Sequence, residues 1–181
     1  MTTPIPNAFP LIDGILSVHR AALGRDFEGY RNHTYRVATL CRSRGPACAD
    51  DSAKIEVAAA FHDLGIWTSG TFDYLAPSVA LAGGYLSGIG KADWSAEVTG
   101  MILNHHKVRA VVGEPSPLAE SFRRADWADV TGGLVAFGLS RALLAEVYAS
   151  WPSAGFHRRL LQLGLARVRS HPFNPLPMVR L

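Results

Sequence analysis

An all-α domain of seven or eight helices is what this sequence predicts, and three observations carry that expectation. Apolar residues recur at helical spacing in the long segments, as at Ile55, Ala58, Ala59 and His62. No stretch alternates apolar and polar residues in the manner of a strand, and no internal repeat is present. Glycine, proline and acidic residues stand where helices of that length would start and stop.

The 181 residues, 48% of them hydrophobic, are enough to build one domain around a sizeable core. We expect a polar lead-in over 1–10, a helical domain over 11–170 and a proline-rich, extended tail over 171–181. Lys and Arg together number 18 against 15 Asp and Glu, a formal charge of +3 with no basic block. That balance suits anionic small molecules and gives no reason to expect a specific nucleic-acid polymer as partner. Cys41 and Cys48 form no CxxC pair, which argues against a disulfide framework or a thiolate zinc site. Residues 1–10 have neither the basic nor the apolar region of a signal peptide. No uncharged apolar run reaches the roughly 18 residues of a membrane helix. A soluble cytoplasmic protein is the expectation, and a homo-oligomer is compatible with it.

The first helix is expected over Leu11–Leu23, with Ile12, Ile15, Leu16 and Val18 apolar and Gly24 at its end. Asp26 is placed to cap a second helix that runs to about Ser43. Its Tyr30, His33, Val37 and Leu40 share one face, so His33 lies on the inward stripe, and Gly45-Pro46 closes the segment. A third helix starts near Asp50-Asp51-Ser52, where acidic side chains suit the positive helix end. Its stripe of Ile55, Ala58 and Ala59 ends on His62. Asp63 would point about 100° away on a continuing helix, so it reaches the same centre only if the helix stops, and Gly65 offers the stop.

A loop over Trp67–Tyr74 precedes a fourth helix expected from Pro77 to about Leu86. Gly88-Ile89-Gly90 breaks the chain, and Asp93 is placed to cap a fifth helix whose stripe of Val98, Met101 and Ile102 ends on His105. Pro115-Ser116-Pro117 opens a sixth helix. Leu118, Phe122, Ala125 and Asp126 share its inner face, with Asp129 one turn further on. After Gly132-Gly133, Ala142–Trp151 and Gly155–Arg167 supply two more helices.

Four helices thus put His33, His62 with Asp63, His105 and Asp126 on core-facing stripes. A buried histidine is commonly a hydrogen-bonded core residue, but buried carboxylates are much rarer, and several such groups together point to a metal site within a helical bundle. Imidazole and carboxylate donors suit Mn, Fe, Co, Ni, Zn or Mg without choosing among them. A cation of that kind activates water and polarises a phosphoryl oxygen, so hydrolysis is the natural chemistry.

The ordered set His33, His62-Asp63 and Asp126 resembles the H…HD…D signature of the HD-domain metal-dependent phosphohydrolase superfamily. The surroundings are similar too, in Asn32-His33-Thr34-Tyr35-Arg36-Val37, Ala59-Ala60-Phe61-His62-Asp63-Leu64-Gly65 and Arg124-Ala125-Asp126-Trp127-Ala128-Asp129. The likeness covers about Tyr30 to Val130. It implies an HD-type helical bundle with His33, His62, Asp63 and Asp126 as metal ligands, and a small phosphorylated substrate, with nucleotides among the candidates. Members with two metals add further histidines. This chain offers His105 or His106 for the later one and none around Pro77-Ser78-Val79, where an earlier one would stand. Nor does it carry a glutamate or lysine just after the HD pair, where Ile66 and Trp67 stand, so no general acid is carried over from that position.

Asp63 is expected to orient water as well as ligate, and Asp73, on the following loop, is a second candidate for acid–base work. Arg36, Lys107 and Arg124 are the candidate phosphate contacts. The alternatives to a phosphohydrolase are a non-catalytic sensor that binds a nucleotide or partner protein, and a dinuclear iron oxygenase that also uses His105.

Overall fold

Two helices form the centre of the molecule: one is rich in alanine and apolar residues, and the other carries polar side chains, His33 and Arg36 among them, that find partners inside the fold. The computed structural model describes residues 5–43, 45, 48, 50–111, 117–174 and 176–179. In it the central pair is α3 (Phe27–Arg42) and α4 (Asp51–Phe61), and both are buried along most of their length. Around them stand α1 (Pro10–Val18), the short α2 (Arg20–Leu23) and α5 (Gly65–Thr68), α6 (Leu75–Gly88), α7 (Ser95–Asn104), α8 (Pro117–Val130), α9 (Arg141–Ser150) and α10 (Phe156–Ser170). Eight of these ten segments have nine or more residues, and no strand occurs among the described residues. The fold is all-α. No helix among the described residues is long and apolar enough to cross a membrane.

One continuous core joins α1, α3, α4, α6, α7 and α8, with Tyr30, Phe61, Met101 and Phe122 among its fully or almost fully buried members. A smaller cluster of Ile66, Tyr74, Leu75 and Met178 lies beside it and is covered by α10 and the C-terminal tail.

Several element ends differ from their expected places. The first helix divides at His19, and a single 3-10 turn over Gly24–Asp26 leads into α3. Asp26 precedes α3 but makes no capping bond; its carboxylate accepts the indole N–H of Trp67 at 3.0 Å and pairs with Arg159 at 2.9 Å. Two distant donors outcompete the local cap because together they fix α5 and α10 against the start of α3. Asp93 likewise makes no cap, and α7 begins at Ser95 after a 3-10 turn. Ser140, by contrast, does cap α9, accepting from the Leu143 amide. Pro46, Pro115 and Ser116 lie outside the described residues.

Gly65 corrects the expectation in the most useful way. It is not a left-handed helix stop but the first residue of α5. What demands glycine is space. A Cβ there would stand 2.6 Å from the Tyr74 carbonyl oxygen and 2.9 Å from the Ser78 hydroxyl, and the Gly65 amide donates to that hydroxyl at 3.0 Å. The start of α6 is thereby drawn against the start of α5.

Candidate metal centre

α4 ends at Phe61, and residues 62–64 form a turn, so His62 and Asp63 both face inward although they are adjacent. They meet His33 from the middle of α3, Asp126 from α8, and His105 and His106 from the turn that follows α7. All but His106 are essentially fully buried. His33 Nε2 and His62 Nε2 are 2.9 Å apart. Asp126 Oδ1 lies 3.6 Å from the first and 3.5 Å from the second, and Asp63 Oδ2 lies 3.7 and 3.5 Å from them. On the far side His105 Nε2 is 3.3 Å from Asp63 Oδ1, and His106 Nδ1 is 3.6 Å from Asp126 Oδ2.

The second nitrogen of each histidine decides which way its lone pair points. The Nδ1–H of His62 donates to the Ala59 carbonyl at 2.8 Å, and that of His105 to the Ile102 carbonyl at 2.7 Å. His33 donates from Nδ1 to Asp129 Oδ2 at 2.6 Å. In all three rings Nε2 is the nitrogen left facing the centre, where it can ligate once deprotonated. Phe156 stacks on His33 at 4.0 Å between ring centroids and fixes its plane.

These residues fit a divalent cation. Donor atoms about 2.1 Å from one centre at tetrahedral or octahedral angles stand roughly 3.0–3.4 Å apart, close to the spacings here. Three overlapping groups have donor atoms within 4.8 Å of one another: His33, His62 and Asp126; His62, Asp63 and His105; His105, His106 and Asp126. Asp63 Oδ1 and both oxygens of Asp126 accept no hydrogen bond although buried, a costly arrangement unless a cation meets them.

Electrostatics agree. Burial alone would lower the His62 pKa, but the Asp63 and Asp126 carboxylates outweigh it and hold the imidazole at about 9. Without a metal, a proton on His62 answers the two carboxylates; a cation bound between them would displace it. Burial would raise Asp63, yet His62 and then His105 keep it well below the usual carboxylate range. Asp126 is lowered for related reasons. Burial and the neighbouring His105 push His106 down to about 4, so it stays neutral and able to ligate.

The remaining expected residues fall into different places. Arg36 does not reach a phosphate position: it is fully buried, its fork closes on Asp129 at 2.6 and 2.9 Å, and its third nitrogen donates to the Trp151 carbonyl at 3.0 Å. A guanidinium without a counterion could not be held there, so Asp129 takes it. Arg124 pairs with Glu120 at 2.5 Å on the outer side of α8. Lys107, next to His106, is half-buried. Asp73 is turned to solvent, its amide donating to the Thr71 hydroxyl at 3.1 Å.

Two residues at the centre were not singled out as site residues from the sequence. Asp129 shows in the pattern as an acidic residue one turn after Asp126, and its role as partner of His33 needed the tertiary packing. Tyr74, the neighbour of Asp73, turns inward, its hydroxyl 2.9 Å from His106 Nε2 and 3.3 Å from His105 Nε2. Burial and then the Asp63 charge push its pKa far above the usual value, so it keeps its proton. No motif marks it.

Comparison with protein families finds one match, the HD domain, over residues 30–131. Comparison with curated proteins and with solved structures finds no match for the chain.

Proposed function

Because the chain belongs to the HD-domain family, with more than half of its length matched, we propose that it is a metal-dependent phosphohydrolase acting on a small phosphorylated compound. The observation that carries this reading is the convergence of His33 Nε2 and His62 Nε2 with the unpartnered oxygens of Asp63 and Asp126 on one buried point. His33, His62, Asp63 and Asp126 would hold the cation, and His105 with His106 stands ready for a second position. A bound divalent cation supplies Lewis acidity and lowers the pKa of water to near neutrality.

The protein's own groups do the rest. Asp129 and Arg36 hold His33 in one tautomer and orientation. Asp63 Oδ1, which accepts no hydrogen bond from the protein, can take one from an attacking water and orient it. Tyr74 holds a proton at its hydroxyl beside Asp63 and His106, in place to donate to a departing alkoxide. It fills the proton-donor role for which the residues after the HD pair offer no candidate. Lys107, next to His106, is the cation we assign to the phosphate.

The test is metal content of the purified protein, then hydrolysis of a panel of phosphate esters with Mn, Co, Ni, Zn and Mg. A His62→Ala, Asp63→Ala double variant should lose both metal and turnover; full activity in that variant would sink the reading. The third donor group, His105 with His106 and Asp126, favours a second reading with two metals. Two iron atoms per chain and oxygen uptake would point to the dinuclear oxygenase instead.

A further inference from the structure

Asp63 and His106 also form the inner end of a cavity of about 480 Å³ that opens between α10 and the C-terminal tail. That volume falls within the roughly 300–1,000 Å³ of small-molecule sites. Beyond Asp63, His106 and the hydroxyl of Tyr74, its wall is apolar. Leu161, Leu165 and Val168, spaced along one face of α10, oppose Leu176 and Val179 of the tail. These five side chains remain 64, 51, 46, 48 and 37% exposed. Among the described lining residues there is no lysine or arginine, and the one indole N–H, that of Trp127, is already donated to the Lys107 carbonyl at 3.2 Å. Asp63 is 1% exposed, and its Oδ1 accepts no hydrogen bond.

A concave apolar wall that ends on a buried, unpartnered carboxylate is suited to a ligand with one apolar and one polar end. A nucleoside would surrender the hydration of its base and sugar hydroxyls here and find almost no donor or acceptor among the described lining residues in return. Further phosphates would face Asp63, and beyond Lys107, next to His106, the described lining residues offer them no cation. We propose that the cavity takes the apolar body of the substrate, an aryl or branched aliphatic alcohol esterified to phosphate, with the phosphate at the Asp63 and His106 end. The position of the phosphate rests on the phosphohydrolase reading; the apolar body rests on the walls alone.

The cavity can be filled without disturbing the centre. Gly164 lines it from α10, and a Cβ at that position meets no atom within 4 Å. Gly164→Leu therefore adds a side chain to the cavity and improves helix propensity at the same time. The experiment is calorimetric titration of the metal-loaded chain with 1-naphthol, 1-naphthyl phosphate and adenosine monophosphate, in parent and variant. Naphthol, which cannot be hydrolysed, should bind one per chain. Naphthyl phosphate should bind at least about tenfold tighter than the nucleotide, a difference of about 1.4 kcal/mol. Gly164→Leu should weaken both naphthyl compounds about tenfold or more while metal content is unchanged.

Equal affinity for the nucleotide, or naphthol binding indifferent to Gly164→Leu, would overturn the proposal. So would failure of naphthol to bind because this face is covered by a second copy of the chain, as sedimentation would reveal. If naphthol binds as expected and no phosphate ester is hydrolysed, the cavity assignment stands and the phosphohydrolase reading falls. If nucleotides are hydrolysed and naphthol does not bind, the reverse holds.

Discussion

Asp129 accepts the Nδ1 proton of His33 across 2.6 Å while Arg36 closes its fork on the same carboxylate. Burial would raise the Asp129 pKa, but His33 and Arg36 bring it far below the ordinary value, so the group is an anion that must accept from both. That fixes the His33 tautomer and ties the middle of α3 to the last turn of α8. The Arg36 link to the Trp151 carbonyl extends the tie to the end of α9.

Removal of the Asp129 carboxylate should therefore cost both stability and metal. Asp129→Ala leaves Arg36 buried and uncompensated, a loss of about 3–5 kcal/mol in chemical denaturation. Asp129→Asn keeps the shape and an acceptor for His33 and should fold, with metal affinity reduced about 10–100-fold. Unchanged metal affinity in Asp129→Asn would show that His33 needs no anionic partner.

Tyr74→Phe tests proton donation separately from metal binding. The variant should retain full metal content and lose about 10²–10⁴ in kcat on alkyl phosphates, whose leaving groups need a proton. On nitrophenyl phosphate, which leaves without one, the loss should be small. Equal losses on both substrates would assign Tyr74 to packing.

Gly65→Ala places a methyl group where the Tyr74 carbonyl and the Ser78 hydroxyl already stand. The start of α6 has to move away, at a cost of about 1–3 kcal/mol. Tyr74 moves with it, so turnover should fall even where the variant remains folded. Denaturation curves that coincide with those of the parent would rule this constraint out.

Glu120 gives a pH dependence away from the metal. Partial burial would raise its pKa, but Arg123, the Val111 amide and Arg124 outweigh that and hold it at about 2, against 4.5 ordinarily. A carboxyl lowered on folding stabilises the fold above its unfolded pKa, and that contribution is lost as pH falls through the folded one. The parent should lose stability as pH drops from about 4.5 to about 2, and Glu120→Gln should lose less over that window. Arg123 also donates to the Lys107 carbonyl at 3.1 Å, so acid should loosen the segment that carries His106. Identical pH slopes for the two proteins would refute the assignment.

The sequence by itself determined the all-α class, the course of the main helices, and the placing of His33, His62, His105 and Asp126 on inward faces. All of these follow from a helical period that each segment displays locally. It also posed the right question about Asp63, which reaches the centre only because α4 stops. The role of Gly65 lay elsewhere: it is pressed against the start of α6, a contact between residues that no local pattern connects. The same limit explains Asp26, drawn from its cap by Trp67 and Arg159, and Arg36, whose charge goes to Asp129 rather than toward a substrate. It also explains why Tyr74 rather than Asp73 faces the metal centre. A local pattern fixes which face of a helix is buried. Which polar groups meet across that buried face is decided by packing between segments far apart in the chain, because a buried charge takes whichever partner the tertiary fold brings within reach.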